Sequence, residues 1–262
     1  MTLSNYCQTI QLAREDKDYL AHLCIANGLL QDLASHANHF LHPLEKLTYS
    51  ELSFERRQHS YLLGRYCAKR ALNNFIHTDL KSIYIEAGVF DFPVTHIPIE
   101  NKWQVSISHC DSLCCTIAFP ETHPMGIDIE KVNESNIEFL SSHITEKDRR
   151  IICELNIADD KAYTLIWTVK EALSKVLRCG LTSPFDIFDI KQVDSNNTYW
   201  FSEFINFPQY KAITFQLSNS VLASIVYPRL TTLHIDIQHI QQWVEHHLNQ
   251  PFKQEPRGLI NG

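Results

Sequence analysis

The hydrophobic period changes along this chain, and that change restricts the fold more than any other feature. A helical period gives way to short strand-like segments, and this happens twice, on either side of about Met125. Within 58–76, Tyr61, Leu62, Tyr66, Ala68 and Leu72 recur every three or four positions, which predicts a helix. SIYIEA from Ser82, QVSISH from Gln104 and LCCTIAF from Leu113 then read as strands, punctuated by Gly, Pro and Asp. MGIDIE (125–130) alternates apolar and acidic residues, again a strand pattern. Two helices are predicted over 145–155 and 160–178, with Thr145 as the N-cap of the first. IFDIKQV, TYWFSEFI, AITFQLS and VLASIVY follow as strands, and 236–248 as a last helix. Residues 1–50 are mixed and carry no clear period, and the polar tail from Asn249, with Pro251 and Pro256, is expected to be loose. Helices and strands do not alternate strictly, so the pattern predicts an α+β fold over a doubly wound sheet.

The 262 residues, 44% of them hydrophobic and 20% charged, can bury the core of one large domain or of two smaller lobes. A net charge of -7 argues against a nucleic-acid binder. Eight cysteines without a CxxC pair, several inside apolar runs, are expected as reduced, mostly buried thiols of a cytoplasmic protein. The N-terminus lacks the basic start and apolar stretch of a signal peptide. No run approaches the ~18 apolar residues of a membrane helix, so no membrane association is expected. His36, His39 and His42 are three apart, a spacing that spreads over a helix surface and serves one metal ion poorly.

Two acidic elements carry the chemistry. Asp128 and Glu130 are two apart on a strand, so both carboxylates point to one face. Such a pair is either a solvated strand face or a site for a hard cation, because adjacent buried carboxylates repel. In WTVKEALSK (167–175), Trp167, Glu171 and Lys175 are four apart and stack on one helix face. Alone, Glu171 and Lys175 could be a surface ion pair. Together the elements describe three carboxylates for Mg²⁺ and an ammonium for phosphate, the general arrangement of phosphoryl-type transfer.

GIDIEK (126–131) followed about forty residues later by WTVKEALSK resembles the paired signature of the 4'-phosphopantetheinyl transferases. SISHC (106–110), RRQHSYLLGRYCAKRAL (56–72) and GLTSPFDIF (180–188) extend the resemblance over about 44–227. Length and the two apparent halves resemble the large monomeric class, the surfactin-synthetase-activating and enterobactin type. The sequence departs from the family pattern at Asp91 in the GVFDFP loop, at Cys110 after the His, at Ser60 in the first helix and at Arg178 after the second motif.

The resemblance implies two similar α/β lobes related by pseudo-twofold symmetry, with coenzyme A in the cleft between them. It sets an N-terminal lobe at 1–124 on the adenosine side, a C-terminal lobe at 125–248 with the metal site, and a tail at 249–262. It implies Mg²⁺, with Mn²⁺ as an alternative, on Asp128, Glu130 and Glu171. Lys175, Ser108, His109, Arg57 and Arg65 would hold coenzyme A. Asp128 and Glu171 would act in catalysis, and Glu146 matches the acidic residue that serves some members as base for the carrier serine. The implied reaction moves 4'-phosphopantetheine from coenzyme A to a serine of an apo acyl or peptidyl carrier protein. A Mg²⁺-dependent phosphohydrolase and a non-catalytic binder of coenzyme A or carriers are the rival readings. The basic cluster Arg56, Arg57, Arg65, Lys69 and Arg70 is expected to receive phosphates, and to steer an acidic carrier toward a chain of like charge.

Overall fold

A computed structural model describes residues 3–99, 102–196 and 198–248, so the predicted loose tail lies outside the described residues. The first fifty residues, without legible period, form β1 (Ser4–Ala13), β2 (Tyr19–Asn27), α1 (Leu30–Phe40) and α2 (Pro43–Glu51). Then come α3 (Glu55–Ile76), β3 (Tyr84–Ala87), β4 (Pro93–His96), β5 (Trp103–Cys110), β6 (Leu113–Pro120) and β7 (Gly126–Lys131). Three helices follow: α4 (Ile137–Ser141), α5 (Glu146–Glu154) and α6 (Asp159–Leu177). The chain continues through β8 (Ile190–Ser195), β9 (Tyr199–Phe204), β10 (Tyr210–Ser218), β11 (Val221–Pro228) and β12 (Thr232–His234) to α7 (Ile237–Leu248). The helices expected from periodicity all form, and Thr145 caps α5 through a reciprocal pair with Asp148.

The result is a mixed α/β fold with two five-stranded antiparallel sheets. One runs β12-β1-β2-β6-β5, the other β7-β11-β10-β9-β8, and β3-β4 is a separate hairpin. The short β12, which no sequence pattern marked, returns to the edge of the first sheet by pairing with β1. β2, β6 and β11 are buried on both faces. In β6, Leu113, Cys115, Ile117 and Phe119 enter the core between the sheets, while Cys114 and Ala118 face the core under α1 and α3. Strands buried on both sides read as continuous apolar runs, which is why LCCTIAF shows no alternation.

β7 is different. Ile127 and Ile129 enter the inter-sheet core, and Asp128 and Glu130 take the opposite face, toward α6. Gly126 fixes how closely that helix approaches: a Cβ there would stand 2.2 Å from the Ala172 carbonyl oxygen. Only glycine lets the two backbones meet, and the contact sets the β7 carboxylates beside the second turn-pair of α6.

Two buried ionic clusters brace the helices. Lys170, fully buried, bonds Asp148 of α5 and lies 3.8 Å from Asp189. Lys69, also fully buried, bonds Glu45 and the Phe40 carbonyl. Lys69 therefore belongs to the interior and not to the phosphate-receiving cluster expected from the sequence. α3 turns it inward, where Glu45 satisfies it.

Candidate active site

A cavity of about 1070 Å³ is lined by α3, the β3-β4 hairpin, β5, β7 and α6. Arg57, Arg65, Ser108, His109, Asp128, Glu130, Glu171 and Lys175 all line it. Sequence reasoning drew these residues from four separate segments. The cavity wall adds Arg56 of the expected basic cluster, Tyr61 of the first periodic helix, Asp91 of the GVFDFP loop, and Tyr84 and Glu86, to which no motif assigned a role. Tyr84 and Glu86 sit on the short strand expected within SIYIEA.

The acidic end is held rigidly. Lys175 Nζ donates to Asp128 Oδ1 at 2.7 Å and to the Ile127 carbonyl at 3.1 Å. Ser108 Oγ donates to the same Asp128 oxygen at 2.8 Å and accepts from the Ile129 amide. Ser108 thus also acts on the site through Asp128, by fixing its carboxylate. Trp167 Nε1 faces Glu130 Oε1 at 3.4 Å. Trp167 is in turn packed among Phe139, His143 and Phe185.

Burial and the neighbouring Asp128 push Glu130 up to about 7, and the same two causes push Glu171 up to about 7. Burial holds His109 below the usual histidine range, with Lys175 acting in the same direction. Asp128 Oδ2 is buried and has no hydrogen-bond donor. Two carboxylates that resist ionisation beside a third with an orphaned oxygen make a donor set that suits a hard divalent cation. Among the described residues, no three His, Cys, Asp or Glu side chains already gather around one point. The Lys175 ammonium compensates Asp128 instead.

At the other end, Arg65 lies with its guanidinium 4.6 Å from the Tyr61 ring centre, and its Nε is 3.6 Å from the buried Glu45. Glu45 also accepts the Ile85 amide, so it ties α2, α3 and β3 together behind the cavity wall.

The structure does not bring Glu146 to this site. It lies in the first turn of α5 with its side chain 87% exposed, facing Arg149 at 3.8 Å, and it does not line the cavity. A carboxylate just after an N-cap is favoured by the helix dipole alone, and this position fits that role. We expect Glu146→Ala to change turnover by less than about twofold, whereas loss of a general base costs ~10²–10⁴-fold. Steady-state rates of the variant and the parent decide between them. Arg70 does not line the cavity either. Among the described residues, no helix is long and apolar enough to cross a membrane.

Residues 124–226 match the family model of the 4'-phosphopantetheinyl transferase superfamily. The chain is 24% identical over 139 residues to the 4'-phosphopantetheinyl transferase gsp of Aneurinibacillus migulanus, covering 52% of this chain and 54% of that protein. It therefore spans about half the length of the relative it matches. Among solved structures, a holo-(acyl-carrier-protein) synthase from Bacillus anthracis str. Ames, in complex with CoA (3',5'-ADP), is similar at a TM-score of 0.34 and 15% identity. That match covers 42% of this chain and 96% of that one. Residues 124–226, the stretch that matches the superfamily model, hold β7, α6 and the carboxylates of Asp128, Glu130 and Glu171.

Proposed function

We propose that the protein transfers the 4'-phosphopantetheine arm of coenzyme A to a serine of an apo acyl or peptidyl carrier protein, leaving adenosine 3',5'-bisphosphate. One observation carries the proposal. Asp128, Glu130, Glu171 and Lys175 share a single cavity with His109 and three arginines, so an acidic end and a phosphate-binding end face one space. In this reading the chain divides into lobes at 1–124 and 125–248, related by a pseudo-twofold axis, with coenzyme A between them.

Arg56, Arg57 and Arg65 bind the phosphate at the adenosine end, where guanidinium groups match phosphate oxygens in pairs. His109 and Lys175 hold the pyrophosphate from the middle of the cavity. Asp128, Glu130 and Glu171 would hold Mg²⁺ or Mn²⁺, which supplies charge neutralisation on the pyrophosphate. With Glu146 facing solvent, the acceptor for the serine proton comes from the cavity.

The direct test combines the protein, coenzyme A, Mg²⁺ and an apo-carrier, and reads the carrier by mass spectrometry. The carrier should gain one phosphopantetheine. Cleavage of coenzyme A without carrier would instead indicate a phosphohydrolase, and binding without turnover a scaffold.

A second test needs no activity. Glu130 and Glu171 titrate at about 7 in the fold, above their ordinary 4.5. Between those values the folded protein binds more protons than the unfolded chain, so metal-free stability falls as pH rises through that window. A divalent cation replaces those protons and removes the repulsion. Saturating Mg²⁺ should raise Tm by ~3–6 °C at about pH 8 and by much less at about pH 5. Equal shifts at both values, read by calorimetry, would remove the carboxylates as the binding site.

A further inference from the structure

Four thiols drawn from separate parts of the chain meet beneath α3. Cys24, Cys67 and Cys114 are fully buried in the core under that helix, and Cys7 packs against it half-buried. None lines the cavity described above. Cys7 of β1 and Cys24 of β2 are directly opposed in the antiparallel ladder. Opposed residues in such a pair hold their Cα atoms about 4.5 or 5.5 Å apart. A disulfide spans Cα separations of about 4.4–6.8 Å. The other two thiols are less suited to pairing. Cys67 Sγ donates to the Cys24 carbonyl at 3.2 Å and lies 3.6 Å from that of Cys114.

The surroundings of the opposed pair are unequal. Asn5 Nδ2 donates to Cys7 Sγ at 3.6 Å. A hydrogen bond from Cys24 holds the Cys7 thiol below its ordinary range, and the Arg70 charge acts in the same direction. Burial pushes Cys24 well up. One member is therefore only partly buried and the more easily ionised, and the other is fully buried and neutral.

We propose that Cys7 and Cys24 form an oxidisable dithiol, a modification site at which Cys7 reacts with a peroxide and Cys24 resolves the product to a disulfide. The Cys7 thiolate attacks one oxygen of hydrogen peroxide. The O–O bond breaks, and the departing hydroxide takes up the proton that Cys7 gave, leaving as water. Cys7 is then a sulfenic acid. The Cys24 sulfur attacks the Cys7 sulfur, the S–O bond breaks, and hydroxide leaves with the Cys24 proton as a second water. Two electrons pass from the dithiol to the peroxide.

The test treats the full chain with hydrogen peroxide, blocks remaining thiols with an alkylating agent, and maps the digest by mass spectrometry. A linked species of the Cys7 and Cys24 peptides, lighter than their sum by two hydrogens, is expected. The exposed Cys153 should oxidise without joining this pair. In Cys24→Ser, Cys7 should persist as a sulfenic acid that a 1,3-dione probe traps. In Cys7→Ser, oxidation of Cys24 should fall about tenfold or more, because the reactive thiolate is gone. The wild-type map needs no variant to fold. Both thiols fully alkylated while Cys153 is oxidised, or Cys24 joined to Cys67 instead of Cys7, would overturn the proposal.

Discussion

Glu171→Gln should lower the proposed phosphopantetheine transfer by about a thousandfold or more, with the fold intact. The reasoning starts from charge. Glu171 is driven up to about 7 by its burial and by Asp128, so its ionised form is disfavoured unless a cation offsets the charge. A neutral amide of the same shape removes that repulsion, and metal-free stability at about pH 8 should hold or rise. The same substitution removes one of three carboxylates proposed to hold the cation, and the developing charge on the pyrophosphate loses its compensation. The effect should therefore appear in turnover and in the Mg²⁺-dependent rise of Tm, and not in the Tm of the metal-free protein. Turnover within about tenfold of the parent would remove Glu171 from the proposed machinery.

Lys170→Ala, one residue away, should act on stability instead. Lys170 is 1% exposed in its side chain and bonds Asp148, whose side chain is fully buried, with Asp189 3.8 Å away. Asp148 also accepts from the Thr145 hydroxyl and amide, while Lys147 pairs with Asp189 at 2.9 Å. Removing the ammonium leaves the Asp148 carboxylate buried without its cation, which costs about 3–5 kcal/mol. For a chain of this size that corresponds to a fall in Tm of roughly 6–20 °C. Calorimetry checks it, and a fall of less than about 2 °C would mean that the pair contributes little. Lys170→Met with Asp148→Leu should recover much of the loss, because apolar replacement of a whole buried pair is often neutral or better. The adjacent Lys170 and Glu171 of one motif thus separate into a brace for the fold and a group of the cavity. A helix turns successive residues by about a quarter of a circle, so neighbours in sequence serve different surfaces.

Periodicity made much of this protein legible before any coordinates. α3, α5, α6 and α7 stand where apolar spacing put them, and Asp128 and Glu130 share a face because strands alternate. β1, β2, α1 and α2 were not legible, since β2 is buried on both faces and carries no alternation. The basic residues of α3 look alike in sequence. Arg56, Arg57 and Arg65 reach the cavity, Lys69 is consumed by Glu45, and Arg70 does not line it. Only the packing of α3 against its sheet makes that distinction.

The three carboxylates with Lys175 were set by the sequence itself, through local spacing on one strand and one helix. Their meeting was decided by tertiary structure. The Gly126 contact with Ala172 brings β7 and α6 together, and β5 and α3 add His109 and the arginines from across the cavity. The exclusion of Glu146 came from the same source. Its place at the N-terminus of α5 follows from local rules, but the direction it faces depends on how α5 packs against α6 and β8. Spacing encodes which residues share a face of one element, and which faces meet depends on contacts between residues far apart in the chain.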